Sequence, residues 1–303
     1  MIDKKATQGS CKLDGGRSLI RSLKEYLRGM VGGLMFSLPL LYTMEVWWAG
    51  FTLHPFRIFI YVLVTFTLLL GYNRYAGLRQ DASSLEVVID SVEELGLGLL
   101  VAAAFLWLLG RITFDMTTEE IAGKIIVEAM TVAIGVSVGT AQLGSNSNEE
   151  EECDTGIDRD IGQSRSLTPG ESHTNFWGQM TIACCGAVLF AANIAPTEEI
   201  ITIAVEITSE RLLGLSLLSI LLGALILFYS DFIDAKRFTR HEGIYTIVSG
   251  TVMTYAIALV ASATILWIFG RFDGLALITC LAQTVVLGMP ATLGASAGRL
   301  LLQ

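Results

Sequence analysis

The chain has 303 residues, 52% of them hydrophobic and only 16% charged, with a formal net charge of −9 and a mean hydropathy of +0.59. A water-soluble domain of this composition would leave too much apolar surface in water. That excludes a soluble globular domain, leaves a polytopic membrane protein, and gives no reason to expect a nucleic-acid partner.

The basic segment 1–28 runs into the first apolar run through "RSLIRSLKEYLRG" (17–29), where Leu19, Ile20, Leu23, Tyr26 and Leu27 share one helical face and Arg17, Arg21, Lys24 and Arg28 surround the other. Such a segment is expected to lie on anionic lipid headgroups. The apolar run after it is too long for a signal-peptide core, and "EVWWAG" offers no small-residue cleavage site, so a retained helix is expected.

Apolar runs of about 20 residues, enough to cross a hydrocarbon core of about 30 Å, fall at 29–48, 56–75, 88–110, 121–141, 176–195, 212–232, 244–269 and 275–301. None alternates with period two, so the expected fold is an all-α transmembrane bundle of eight helices. With the N-terminus in the cytoplasm, fifteen of the twenty Lys and Arg residues fall inside, and only Arg57, Arg111, Lys124, Arg211 and Arg271 fall at the outer ends. The positive-inside rule then puts both termini in the cytoplasm of a plasma membrane. Trp47, Trp48, Trp107 and Trp267 form an outer aromatic belt, and Trp177, Tyr72, Tyr75 and Tyr229 an inner one.

The phrase "LWLLGR" (106–111) returns as "LWIFGR" (266–271), within the longer pair "GLLVAAAFLWLLGR" and "ALVASATILWIFGR". Beyond it "AMTVAIG" (129–135) matches "AQTVVLG" (282–288), and "LYTMEVWW" (41–48) can be laid on "LFAANIAP" (189–196), which pairs Glu45 with Asn193. Two tandem four-helix units are expected, 29–141 and 176–303. An even number of helices per unit gives both the same orientation. The segment between them, 142–175, holds eight acids against two arginines and reads as a disordered cytoplasmic linker. "GMVGG" (29–33), "GVSVG" (135–139) and "GASAG" (294–298) space small residues for close helix packing, within the chain or in a homo-oligomer, and Pro39 and Pro290 can kink their spans.

A charge in mid-span is costly and therefore informative. The candidates for ion or proton binding are Glu45, Glu94 and Glu128, with Asn193 as the repeat counterpart of Glu45. Each carboxylate also has a plainer reading. Glu45 can reach the headgroups beside Trp47 and Trp48, Glu128 can pair with Lys124 one turn away, and Asp90 and Glu94 can form a solvated helix end. "TTEEI" (117–121) is a capping box, and "PTEEI" (196–200) opens a segment in the same style.

There is no phosphate loop, GxSxG or HExxH, and His54, His173 and His241 are scattered, so no enzyme activity and no cofactor are expected. Cys11, Cys153, Cys184, Cys185 and Cys280 form neither a disulfide framework nor a metal-ligand spacing. The reading that follows is a small-cation or proton-coupled transporter or channel. The alternative is a non-transporting scaffold or sensor whose partner surfaces are the acidic linker and the basic N-terminal helix.

The segments "SLPLLYTMEVWWAG" and "HPFRIFIYVLVTFTLLLGYNR" resemble a family of bacterial integral membrane proteins of unknown function, with the likeness extending over most of the chain apart from the N-terminus and the acidic linker. The resemblance implies a multi-span inner-membrane protein. It supplies no activity, cofactor or site residue.

Overall fold

The computed structural model describes residues 15–77, 83–113, 115–153, 176–234 and 244–301. Among these, all regular structure is helical: α1 (Gly15–Leu41), α2 (Met44–Thr52), α3 (Pro55–Tyr75), α4 (Ser84–Leu108), α5 (Thr118–Cys153), α6 (Phe176–Ile194), α7 (Glu199–Glu206), α8 (Ser209–Asp234), α9 (Ile244–Ile268) and α10 (Leu277–Leu301). Seven helices are long and apolar enough to cross a membrane, or eight spans if the bent pair α1 and α2 counts as one.

Helix starts follow from local chemistry. Pro55 opens α3, where its missing N–H would have had no partner in any case, and the His54 ring accepts from the Phe56 N–H. Ser83 and Glu86 form a reciprocal capping box on α4. The Thr117 hydroxyl accepts from the Glu120 N–H at 3.3 Å, as "TTEEI" suggests. "PTEEI" behaves differently: the Thr197 hydroxyl donates back to the Ile194 carbonyl at 2.9 Å, and α7 begins without a side-chain cap.

The repeated phrase turns out to be a helix stop. In α4, Gly110 N–H donates to Trp107 O at 3.0 Å and Arg111 N–H to Leu106 O at 2.8 Å. In α9, Gly270 and Arg271 make the same two bonds, at 3.1 and 2.9 Å. This is the Schellman arrangement, which needs a left-handed residue, and the glycines supply it with φ of 67° and 73°.

Three expectations change. The run 29–48 is not one helix, because α1 stops at Leu41 and α2 leaves at 86°. Pro39 removes an N–H from the ladder, Thr43 is extended, and its hydroxyl donates to the Pro39 carbonyl at 2.7 Å. The basic stretch is not a separate helix, since α1 runs unbroken from Gly15. The expected linker does not begin at 142, because α5 continues to Cys153; 154–175, with the disorder expected there, lie outside the described residues, as do 1–14.

Helix α5 is the most deeply buried span and packs against α1, α2, α3 and α4, as α10 does against α6, α7, α8 and α9. The two groups meet where α6 contacts α1, α3 and α5, and where α3 contacts α9. Small residues permit this closeness: Gly32 abuts Gly139, Gly33 abuts Gly135, and Gly186 abuts Gly294, so the glycine motifs serve packing within the chain. At one end, hereafter the α2 end, Gly50 of α2 lies against Gly123 and Lys124 at the start of α5. Arg57, at the start of α3, reaches Asp273, just before α10.

Candidate functional site

The four residues singled out in the sequence fall in four different places. Glu128 lies on α5 with no exposed surface, and neither of its carboxyl oxygens has a hydrogen-bond partner. The ion pair with Lys124 is not formed. Lys124 instead binds Glu120 at 2.7 Å, donates to the Arg111 carbonyl at 3.4 Å and lies over the Phe51 ring. Tyr61 of α3 reaches the same stretch of α5. Its hydroxyl shares a 3.1 Å hydrogen bond with Thr131, which follows Glu128 by one turn. Thr65, one turn along α3 from Tyr61, is also buried with a free hydroxyl.

Glu94 stands on α4 in a polar cluster away from the α2 end. Asn73 of α3 donates to Glu94 at 2.7 Å and to Ser91 at 3.1 Å, and accepts from Ser137 of α5 at 3.1 Å. The cluster borders a cavity of about 360 Å³, lined also by Glu86, Asp90, Glu93 and Tyr26. The Tyr26 hydroxyl donates to Glu93 at 3.3 Å. Asn73, Ser91 and Ser137 are buried and hold one face of this acidic recess in place.

Glu45 is half-buried in the first turn of α2, and its charge acts on Arg271 together with those of Glu198 and Glu199. Burial pulls the Arg271 pKa down while these acids hold it up. Glu45 thus lies near Arg271, Glu198 and Glu199 at the α2 end. Asn193 contacts neither carboxylate. Its amide donates to the Phe36 and Leu189 carbonyls at 3.1 and 2.6 Å and accepts from the Leu40 N–H at 3.1 Å. Laying Asn193 on Glu45 also joins unlike elements, since Asn193 closes α6 whereas Glu45 opens α2.

Tyr61, Thr131, Asn73, Ser91 and Ser137 escaped the sequence reading, which sought charge. Their signal was present only as single hydroxyl and amide groups within the apolar spans α3, α4 and α5. Gln283 was missed as well: its amide on α10 is buried and unpartnered. Among the described residues no three His, Cys, Asp or Glu side chains converge on a metal site.

Comparison with curated proteins and with solved structures gives no match. Residues 25–302 match one protein family, which agrees with the apolar spans, and the chain belongs to that family, the integral membrane proteins designated DUF2391.

Proposed function

We propose that the protein carries a proton or a small cation across the membrane, with Glu128 as the exchanging group. The observation behind this reading is the Glu128 carboxyl, fully buried with both oxygens unpartnered. An ionised carboxylate in that position is strongly unfavourable, and binding a proton or a cation removes most of the penalty. A group that takes up such a partner from one side and releases it to the other is what coupled transport needs. Support comes from the polar positions between α3 and α5. They run from Tyr61 and Thr131 through Thr65 to the Asn73–Ser137–Glu94 cluster and its acidic recess. Leu69 and Ile134, both buried, interrupt them and supply an apolar barrier.

The architecture that goes with this reading is two tandem four-span units in one orientation, with α1 and α2 forming one broken span. It is supported by the recurrence of the packing partners around α5 and α10 and by the matching helix stops at Gly110 and Gly270. The basic bias supports cytoplasmic termini in a bacterial inner membrane, with anionic headgroups against the N-terminal part of α1. No catalytic step belongs to the reading. The test is flux in proteoliposomes under Na⁺, K⁺, Ca²⁺ and H⁺ gradients. Glu128→Gln should insert normally and lose most gradient-driven flux, and full flux from that variant would reject the proposal.

A further inference from the structure

A cavity of about 600 Å³ opens at the α2 end, lined by His54, Arg57, Trp267, Phe269, Gly270 and Asp273 among others. Arg57 spans it, making a bidentate pair with Asp273 at 2.6 and 2.7 Å and lying over the Trp267 ring at 5.6 Å. Phe269, in the cavity wall, meets Tyr61 edge-on with ring centroids 5.8 Å apart. Tyr61 is fully buried, and its hydroxyl reaches Thr131, one turn from the unpartnered Glu128. The cavity wall is therefore linked, through Phe269, Tyr61 and Thr131, to within one helical turn of the carboxyl.

We infer that Glu128 is loaded from this cavity, that the Tyr61–Phe269 contact closes the passage, and that the species exchanged is a proton carried on water. The inference rests on the transport reading of Glu128. The proton follows from the ligand set, because among the described residues no three His, Cys, Asp or Glu side chains converge at Glu128 or elsewhere, whereas hard metal cations take about six or more oxygen ligands. Lys124, one turn back on α5, is held by Glu120 and leaves the carboxyl to its exchangeable partner. The neighbouring hydroxyls of Tyr61 and Thr131 are suited to relaying a proton and too few to cage a metal ion.

The passage is tested in the full-length chain by replacing Glu128→Cys and applying a membrane-impermeant cationic thiosulfonate to one face of reconstituted vesicles, with labelling at position 128 read by peptide mass spectrometry. With Tyr61 and Phe269 intact the thiol should react slowly. Adding Phe269→Ala should speed labelling from the α2 face by at least an order of magnitude and leave the opposite face unchanged. Unchanged labelling, or faster labelling only from the opposite face, overturns the passage. Phe269→Leu, which keeps most of the volume, replaces the alanine variant if that does not purify folded, with the same two outcomes. Wild-type proton flux, followed with an entrapped pH dye, should be equal in Na⁺, K⁺ and choline media, and its loss in choline would overturn the proton as occupant. Thiol labelling does not depend on flux, so failure of the passage is distinguishable from failure of the transport reading, which the Glu128→Gln flux decides.

Discussion

The side-chain amide of Asn193 bonds the backbone of α1 twice, donating to the Phe36 carbonyl at 3.1 Å and accepting from the Leu40 N–H at 3.1 Å. An amide on α6 thus engages the backbone of α1 just where Pro39 has weakened it. It also ties α1 to α6, so the break before α2 and the seam between the two helix groups share one side chain.

Asn193→Leu should therefore cost about 1–3 kcal/mol for each backbone group left unpaired in an apolar setting. Thermal unfolding in detergent checks this, and a variant as stable as wild type would show that α1 closes its own ladder. Asn193→Asp keeps an acceptor for Leu40 and loses both donations, so it too should unfold at a lower temperature than wild type.

Glu128 should behave in the opposite sense. Its carboxyl is buried without a partner, so Glu128→Leu is expected to raise stability by about 1–3 kcal/mol while abolishing flux. Stability and activity are measured on the same preparation. A loss of stability would mean that the carboxyl makes a favourable contact in the membrane.

The two helix stops give a matched pair of substitutions. Gly110 has φ 67° and open space where a methyl group would stand, so Gly110→Ala should cost only the left-handed strain, about 1–2 kcal/mol. At Gly270 the added methyl would meet Arg57 Nη1 at 2.7 Å as well. Gly270→Ala should therefore be the more destabilising of the two, and should weaken the Arg57–Asp273 pair. Equal melting temperatures for the two variants would contradict the difference in their surroundings.

Asp273 predicts a pH effect. The hydrogen bond from Arg57 holds its carboxyl pKa below the ordinary value. A carboxylate with a depressed folded pKa contributes stability that is present above its unfolded pKa and lost as pH falls through the folded one. Asp273 is largely exposed, so the contribution is below about 1 kcal/mol. The melting difference between wild type and Asp273→Asn should be visible near neutral pH and vanish in acid below the ordinary aspartate range. A difference that grows in acid would contradict the pairing.

Much of the fold could be read from particular stretches of the chain. The apolar runs named the spans because apolar length is a local property, and "LWLLGR" with "LWIFGR" marked two ends of the same kind because a Schellman stop is written in contiguous residues. "TTEEI" foretold the start of α5 for the same reason. The 86° break after Leu41 was less legible: Pro39 signals a weakness, but the amide that stabilises it comes from Asn193, 153 residues away along the chain. Of the candidate carboxylates, the sequence found Glu128 and Glu94 by their cost, and it could not say which neighbours they would meet. Lys124 stood at the right spacing to pair with Glu128 and turned to Glu120 instead.

By itself the sequence determined solvent and span count to within one, along with the places where helices start and stop, since hydropathy, capping and glycine conformation act over a few residues. The tertiary structure decided that Glu128 is alone, that Glu94 sits in a cluster held by Asn73 and Ser137, and that Glu45 belongs with Arg271 at the α2 end. The reason is that burial and pairing of a polar group depend on which helices touch. Among the closest helix contacts in this chain are those of glycine against glycine across α1 and α5 and across α6 and α10, pairs that lie more than a hundred residues apart.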